Sequence, residues 1–254
     1  MSRTKILIFV CIVIVHSFSS AGAYTPNELQ VGERYVYTIK WLGIPVGEIK
    51  AVVEAETVIK GREVFIIQCY AQTNKWMSLI YKIQDRFVSY IDKERLVPLK
   101  LKVSRREGSY KKDAVTVFDH ENGKAYFHNF LDNSYKEYDI PPEVQDIISI
   151  FYKLRHHKIV LDKAHYYDVA FAETVFSISG TASTKRTIKL PTGRRASVFY
   201  AEPYAKIRRK EIKDGTMSTY ISSDGYQIPY RIVLKAPLFT KVTATLTEAT
   251  ALRL

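Results

Sequence analysis

Cysteine is nearly absent, with two in 254 residues, Cys11 and Cys69. Cys11 falls inside an apolar N-terminal run that reads as a leader, so Cys69 alone would remain after its removal. That excludes an intrachain disulfide in the mature chain. Past the leader, no stretch approaches the roughly eighteen apolar residues of a membrane-spanning helix. There is no G-x-S-x-G elbow, no H-E-x-x-H, no P-loop, and no G-x-G-x-x-G after a strand pattern. A Ser-His-Asp triad is assembled from distant positions, so sequence alone does not exclude one, but nothing points to it. No residue is assigned a catalytic role, a metal or a cofactor. Acidic residues are scarce too: 26 against 38 Lys and Arg give a formal net charge of +12.

The leader has three parts. Arg3 and Lys5 supply its positive end, and Ile6 to Val15 supply about ten apolar residues, too few to span a bilayer. Ala21-Gly22-Ala23 is the small-x-small pattern that signal peptidase recognises. Residues 1–23 are therefore expected to be a cleaved signal peptide, with the mature protein starting at Tyr24. The mature 231 residues (24–254) then carry 36 basic and 26 acidic groups, a net charge of +10. They are read as a single β-rich domain. Export, most simply to a periplasm, leaves nucleic acid out as a partner. The positive charge favours an anionic lipid, lipopolysaccharide or glycan, and allows peripheral contact with a membrane.

Alternation with period two runs through the chain. Tyr35, Tyr37, Ile39 and Trp41 share one face of a strand. Val64–Ala71 is apolar on nearly both faces and reads as a central strand, and Cys69 lies in phase with Phe65 and Ile67 as a core residue. Asn122-Gly123, Asp224-Gly225 and Glu107-Gly108 supply hairpin turns, where glycine accepts positive φ. One segment changes period. Val144, Ile147, Ile148, Phe151 and Leu154 follow helical spacing behind Pro141-Pro142, which predicts an amphipathic helix over residues 142–157. At 100° per residue Arg155 falls within its apolar stripe and needs a carboxylate partner. Residues 75–82 are a shorter, ambiguous helical candidate. Ser89-Tyr90-Ile91 before Pro98 is echoed by Thr219-Tyr220-Ile221 before Pro229, as in two related β-meanders. The fold expected is mainly β: a curved antiparallel sheet, an open or partly closed barrel, with one helix packed on it.

His156-His157 and His165 read as a solvated helix end rather than a metal site. Two basic clusters, one at Arg105, Arg106, Lys111 and Lys112 and one at Lys206 to Lys210, are either solvated hairpins or a surface for anions. At Tyr37–Gly47, Ile80–Asp85, Pro141–Asp146 running into Arg155, and Tyr220–Gly225 with Ile228-Pro229, the chain resembles a bacterial exported family, the domain of unknown function 3108. The resemblance implies an envelope protein without an assigned activity. Asp85, Asp146, Arg155 and Asp224 belong to its motifs, so Asp85 and Asp224 are the expected partners of Arg155.

The function expected is non-catalytic binding of an amphipathic or anionic envelope component. Trp41, Trp76, Tyr81, Phe151, Tyr152 and Arg155 are the candidate binding residues, with the aromatics lining a concave face. Two alternatives stay open: an envelope glycan hydrolase or lyase, and an assembly module that binds an envelope protein through a sheet edge.

Overall fold

The computed structural model describes residues 29–156, 159–207, 210–211, 215–236 and 240–250. The expected leader and Tyr24, as well as His157, Arg208 and Arg209, lie outside the described residues.

Alternating side chains produce alternating burial. In β1 (Arg34–Trp41) Tyr35 and Tyr37 are buried, while Lys40 faces solvent. Two-residue turns join β1 to β2 (Ile44–Ile59) and β2 to β3 (Arg62–Thr73). A one-turn helix, α1 (Lys75–Ser78), precedes β4 (Gln84–Asp92). The meander continues through β5 (Pro98–Glu107), β6 (Tyr110–Asp119), β7 (Lys124–Asn129) and β8 (Ser134–Asp139). After α2 (Ser149–Arg155) come β9 (Ala164–Phe171), β10 (Thr174–Lys189), β11 (Arg195–Ala201) and β12 (Tyr204–Ile207). The chain ends with β13 (Lys210–Glu211), β14 (Thr216–Ser222), β15 (Pro229–Ala236) and β16 (Thr240–Ala249).

All sixteen strands belong to one sheet. Consecutive strands pair from β8 back to β1. Antiparallel pairing of β1 with β16 then joins the two halves, and β15, β14, β11 and β10 follow. β10 pairs β9 along the same residues that pair β12, so those two flank it on opposite sides. β11 and β12 continue one another along β10, at Ala182↔Ala201 and Ser179↔Tyr204, interrupted by Glu202-Pro203. Proline cannot donate to the ladder, which accounts for the break.

The echo in the sequence is structural. Ala172 lies 130 positions after Leu42, and both turn their hairpins with positive φ, 56° and 50°. The strands that follow, β2 and β10, are each 16 residues long. The amide of Asp92 donates to the carbonyl of Val97 (2.9 Å), as that of Ser222 does to Ile228 (2.8 Å). Thus β1–β5 and β9–β15 are two versions of one meander.

The barrel does not close. Among the described residues its edge strands are β8, β9 and the two-residue β13, and the segment 143–147, which follows β8, docks on β9. The Gln145 amide donates to Asp168 (2.8 Å) and its carbonyl accepts from Ala170 (2.7 Å). Across the same seam the Tyr138 hydroxyl donates to the Ala172 carbonyl (3.2 Å).

The long helix differs from its expectation in length and in character. It spans seven residues, 149–155, rather than 142–157. Gln145 is held in a bridge to β9, and Glu143 sits at φ +60°, outside helical space. The Asp146 carboxylate accepts from the amides of Ile148 (2.8 Å) and Ser149 (2.6 Å), while Ser149 Oγ accepts from the Asp146 amide (2.8 Å). These reciprocal bonds hold the turn that leads into the helix, whose N-cap residue is Ile148. Nor is the helix amphipathic. Every residue except Lys153 is buried, including Ile150 and Tyr152, which lie off the predicted stripe. It runs inside the curl of the sheet, so every side but one meets protein. The Phe151 ring lies tilted 5.8 Å from Tyr35 and edge-on 6.4 Å from Tyr37, and Phe87 of β4 lies 6.3 Å from Phe171 of β9.

Backbone approach is closest at Gly47, in β2. A Cβ there would lie 2.2 Å from the Gln72 carbonyl oxygen, a backbone atom that cannot swing away. Gly47→Ala is expected to lower stability by about 1–3 kcal/mol through overpacking. Chemical denaturation checks this: an unchanged midpoint would show that β2 and β3 separate freely.

Candidate functional site

The expected binding residues divide into two groups that do not meet. Phe151, Tyr152 and Arg155 lie within the core, together with Tyr35, Tyr37 and Tyr230. Trp41, Trp76 and Tyr81 lie at one rim of the sheet. The aromatics therefore do not jointly line a concave binding face. The helix and the inward rings of β1, β4 and β9 occupy that space.

Arg155 is 3% exposed and pairs through Nη1 with Glu33 Oε1, itself buried in the turn before β1. The expected partners were Asp85 and Asp224, and both are engaged elsewhere. Asp85 accepts from the Arg106 amide (2.9 Å) and pairs with Arg105 (3.4 Å). Asp224 organises the β14–β15 turn, accepting from Ser222 Oγ (2.6 Å) and the Tyr230 hydroxyl (2.9 Å). Burial raises the phenol pKa values of Tyr35, Tyr37 and Tyr152 around the Arg155–Glu33 pair, so these tyrosines stay neutral. Asp146 joins the helix to the sheet by accepting from Ser89 Oγ (2.6 Å), and burial raises its carboxyl above the ordinary range.

The first basic cluster divides as well. Arg105 is buried between Asp85 and Glu107 and lies 5.2 Å from the Tyr110 ring, so it is a core cation rather than a contact residue. Arg106 pairs with Asp113 (2.6 Å). Two carboxylates thus share one buried guanidinium. Burial and the neighbouring Asp85 push Glu107 up to about 7, so the pair holds a proton near neutrality. Cys69, half-buried beside Asp85, has its thiol pushed up to about 12 by burial, which leaves it without nucleophilic thiolate.

Above this network lies the rim, made by the β1–β2 turn, α1 with the turn after it, and the β5–β6 and β7–β8 turns. Trp41 and Trp76 are each 43% exposed, Leu79 89% and Ile80 73%. Leu42, Ile44, Phe130 and Leu131 are also exposed. Contiguous exposed apolar groups are the informative exception on a protein surface. These turns are fixed to one another. Trp76 Nε1 (3.2 Å) and Asn74 Nδ2 (2.8 Å) both donate to the Pro45 carbonyl, and the Leu42 amide donates to Lys241 (2.9 Å). Tyr81 lies over Gly108, donates its hydroxyl to the Glu107 carbonyl (3.2 Å), and so seats the α1 loop on the ionic network. Sequence analysis missed three parts of this arrangement: Glu33, the Arg105–Glu107 pairing, and the exposure of Leu79 and Ile80 after α1. The i, i+2 spacing of Arg105 and Glu107 on one strand face was the one available signal.

Among the described residues no group of three or more His, Cys, Asp or Glu is placed to hold a metal, and no helix is long and apolar enough to cross a membrane.

Residues 36–247 match the family model described as protein of unknown function (DUF3108), and the chain belongs to that family. No curated protein matches it. Among solved structures it is similar to a β-barrel-like protein of the DUF1849 domain family from Brucella abortus. The identity is 8% and the TM-score 0.56, over 86% of this chain and 97% of that one. At that identity the likeness is one of fold. A protein from Bacteroides fragilis with a YmcC-like fold, classed by name among exported proteins, aligns at 9% identity and TM-score 0.37, over 92% and 100%.

Proposed function

We propose that this DUF3108 chain is an exported, non-catalytic protein of the bacterial envelope, one β-rich domain that binds an amphipathic or anionic envelope component at the rim of its sheet. The rim carries the reading: rigid, exposed tryptophan and aliphatic side chains stand beside free lysines on a chain of net positive charge. The same surface would serve an acyl-bearing anion, with apolar contact and charge acting together. Catalysis finds less support. The buried carboxylates nearest one another, Asp85 and Glu107, share Arg105 rather than facing each other across an open cleft. The sheet-edge alternative has one observation in its favour, the almost fully exposed strand β8, although Lys136 and Tyr138 already contact the β9–β10 turn.

Two measurements test the proposal. Sequencing the protein released by osmotic shock should find Tyr24 at the N-terminus, and retention of Met1 there would end the export reading. Displacement of a dansylated fatty acid should report binding that weakens as salt screens the lysines. No binding at low salt would end the amphiphile reading and put the sheet-edge alternative first.

A further inference from the structure

We infer that the rim is a docking surface for an intact anionic bilayer, which it meets with Trp41, Leu42, Ile44, Trp76, Leu79 and Ile80. This rests on the proposed function and names its partner: a membrane surface, rather than a lipid lifted out and enclosed.

Three observations carry it. The first is where the apolar side chains lie. α2 is inside the curl with every residue but Lys153 buried, whereas the tryptophan and aliphatic side chains of the rim are exposed, so the apolar surface open to a partner is on the outside. The second is the distribution of charge. Lys40, Lys75, Lys82, Lys111 and Lys241 are all exposed around the rim, and none is in an ion pair among the described residues. Of the acidic groups at that end, Glu173 pairs with Lys136, while Glu48 and Asp132 accept only from the neutral groups of Gln72 and Ser134, so five such lysines stand against two such carboxylates. At the opposite end of β1–β8 most cations are paired, with Lys60 exposed and outside the ion pairs of the described residues. Lys93 pairs with Glu56 (2.8 Å), Arg95 with Glu143 (2.6 Å) and Lys124 with Asp139 (2.9 Å). Val31 and Val58 are the exposed aliphatics there. One end is thus apolar with an excess of exposed lysines outside ion pairs, and at the other most cations are paired with carboxylates.

The third observation is rigidity. Asn74 and Trp76 of the α1 segment both donate to the Pro45 carbonyl beside the β1–β2 turn, and Tyr81 anchors the loop after α1. A preformed apolar face loses little conformational freedom when it enters the headgroup region. Tryptophan suits that depth, because its ring is apolar and its N–H polar.

The chain's own spectroscopy tests this, since its two tryptophans are both at the rim. The full mature chain is mixed with vesicles of phosphatidylglycerol and phosphatidylcholine, with pure phosphatidylcholine vesicles as control. On the anionic vesicles the emission should shift to the blue and be quenched by brominated acyl chains. Binding should weaken about ten-fold or more when salt is raised from about 50 to about 500 mM. Leu79→Asp with Ile80→Asp, at exposed positions, should keep the parent melting temperature and lose about ten-fold or more of the affinity. If anionic vesicles leave the emission unchanged while the dansylated fatty acid still binds, docking is overturned and the proposed function stands. If neither probe binds, both fail. Parent-like vesicle binding by the double variant would also overturn the inference.

Discussion

Arg155→Ala is expected to lose about 3–5 kcal/mol of folding stability, because it leaves Glu33 charged and unpaired in the core. Both side chains of the pair are almost wholly buried. Water therefore cannot replace the guanidinium without opening the turn before β1. The tyrosines around the pair offer no second cation, and burial keeps their hydroxyls neutral. The loss would appear as a melting temperature lower by about 6–20 °C for a domain of this size. Glu33→Ala should cost a comparable amount, by stranding Arg155. Replacing both by leucine should recover most of it, because a desolvated pair contributes little net stability over apolar groups of similar volume. Single variants that melt with the parent would show that water reaches the pair. A double variant as unstable as the singles would show that these residues act by shape alone.

Glu107→Gln should flatten the dependence of stability on pH. The folded-state pKa of this carboxyl stands at about 7, above its ordinary 4.5. Between those values the folded chain holds a proton that the unfolded chain has released. Stability from this source is therefore full below about 4.5, falls as pH rises, and is gone above about 7. The whole step is on the order of 3 kcal/mol. Arg105 on the same strand, Asp85 on β4 and Tyr110 on β6 are the ionisable groups that face it, and the proton belongs to the Asp85–Glu107 pair. Glutamine keeps the shape and one donor but cannot ionise. Subtracting the variant's denaturation curves from the parent's removes the titration of distant groups. A difference that stays constant from about pH 5 to about pH 8 would refute the shared proton.

Strand positions were legible because alternation is a local property. The runs at Tyr35–Trp41 and Val64–Ala71 are both strands, with Tyr35, Tyr37, Phe65 and Ile67 buried as their spacing suggests, although Val36 is buried and Trp41 exposed against it. The repeat was legible because a turn such as Asp92–Val97 and its counterpart at Ser222–Ile228 need the same local geometry. β12 and β13 were not read. Glu202-Pro203 divides what would otherwise be one strand, and the pieces are too short to show a period. The helix was read too long because helical spacing of apolar residues reports burial, not hydrogen bonding. Val144 and Ile147 are buried on an extended bridge and a capping turn, and only from Ser149 does the backbone turn helical.

Chain order alone settled that this protein is β-rich, roughly where most of its strands lie, and which family motifs it carries. Those features depend on neighbours two to four positions away. Tertiary structure decided the rest. The partner of Arg155 lies 122 residues upstream, in a turn without any motif. Arg105 became a core cation, and Trp76 and Asn74 came together on the Pro45 carbonyl. Such meetings depend on how far the sheet curls and which strands face each other across it. That curl comes from the summed twist of sixteen strands around a buried helix, and no window of neighbouring residues encodes it.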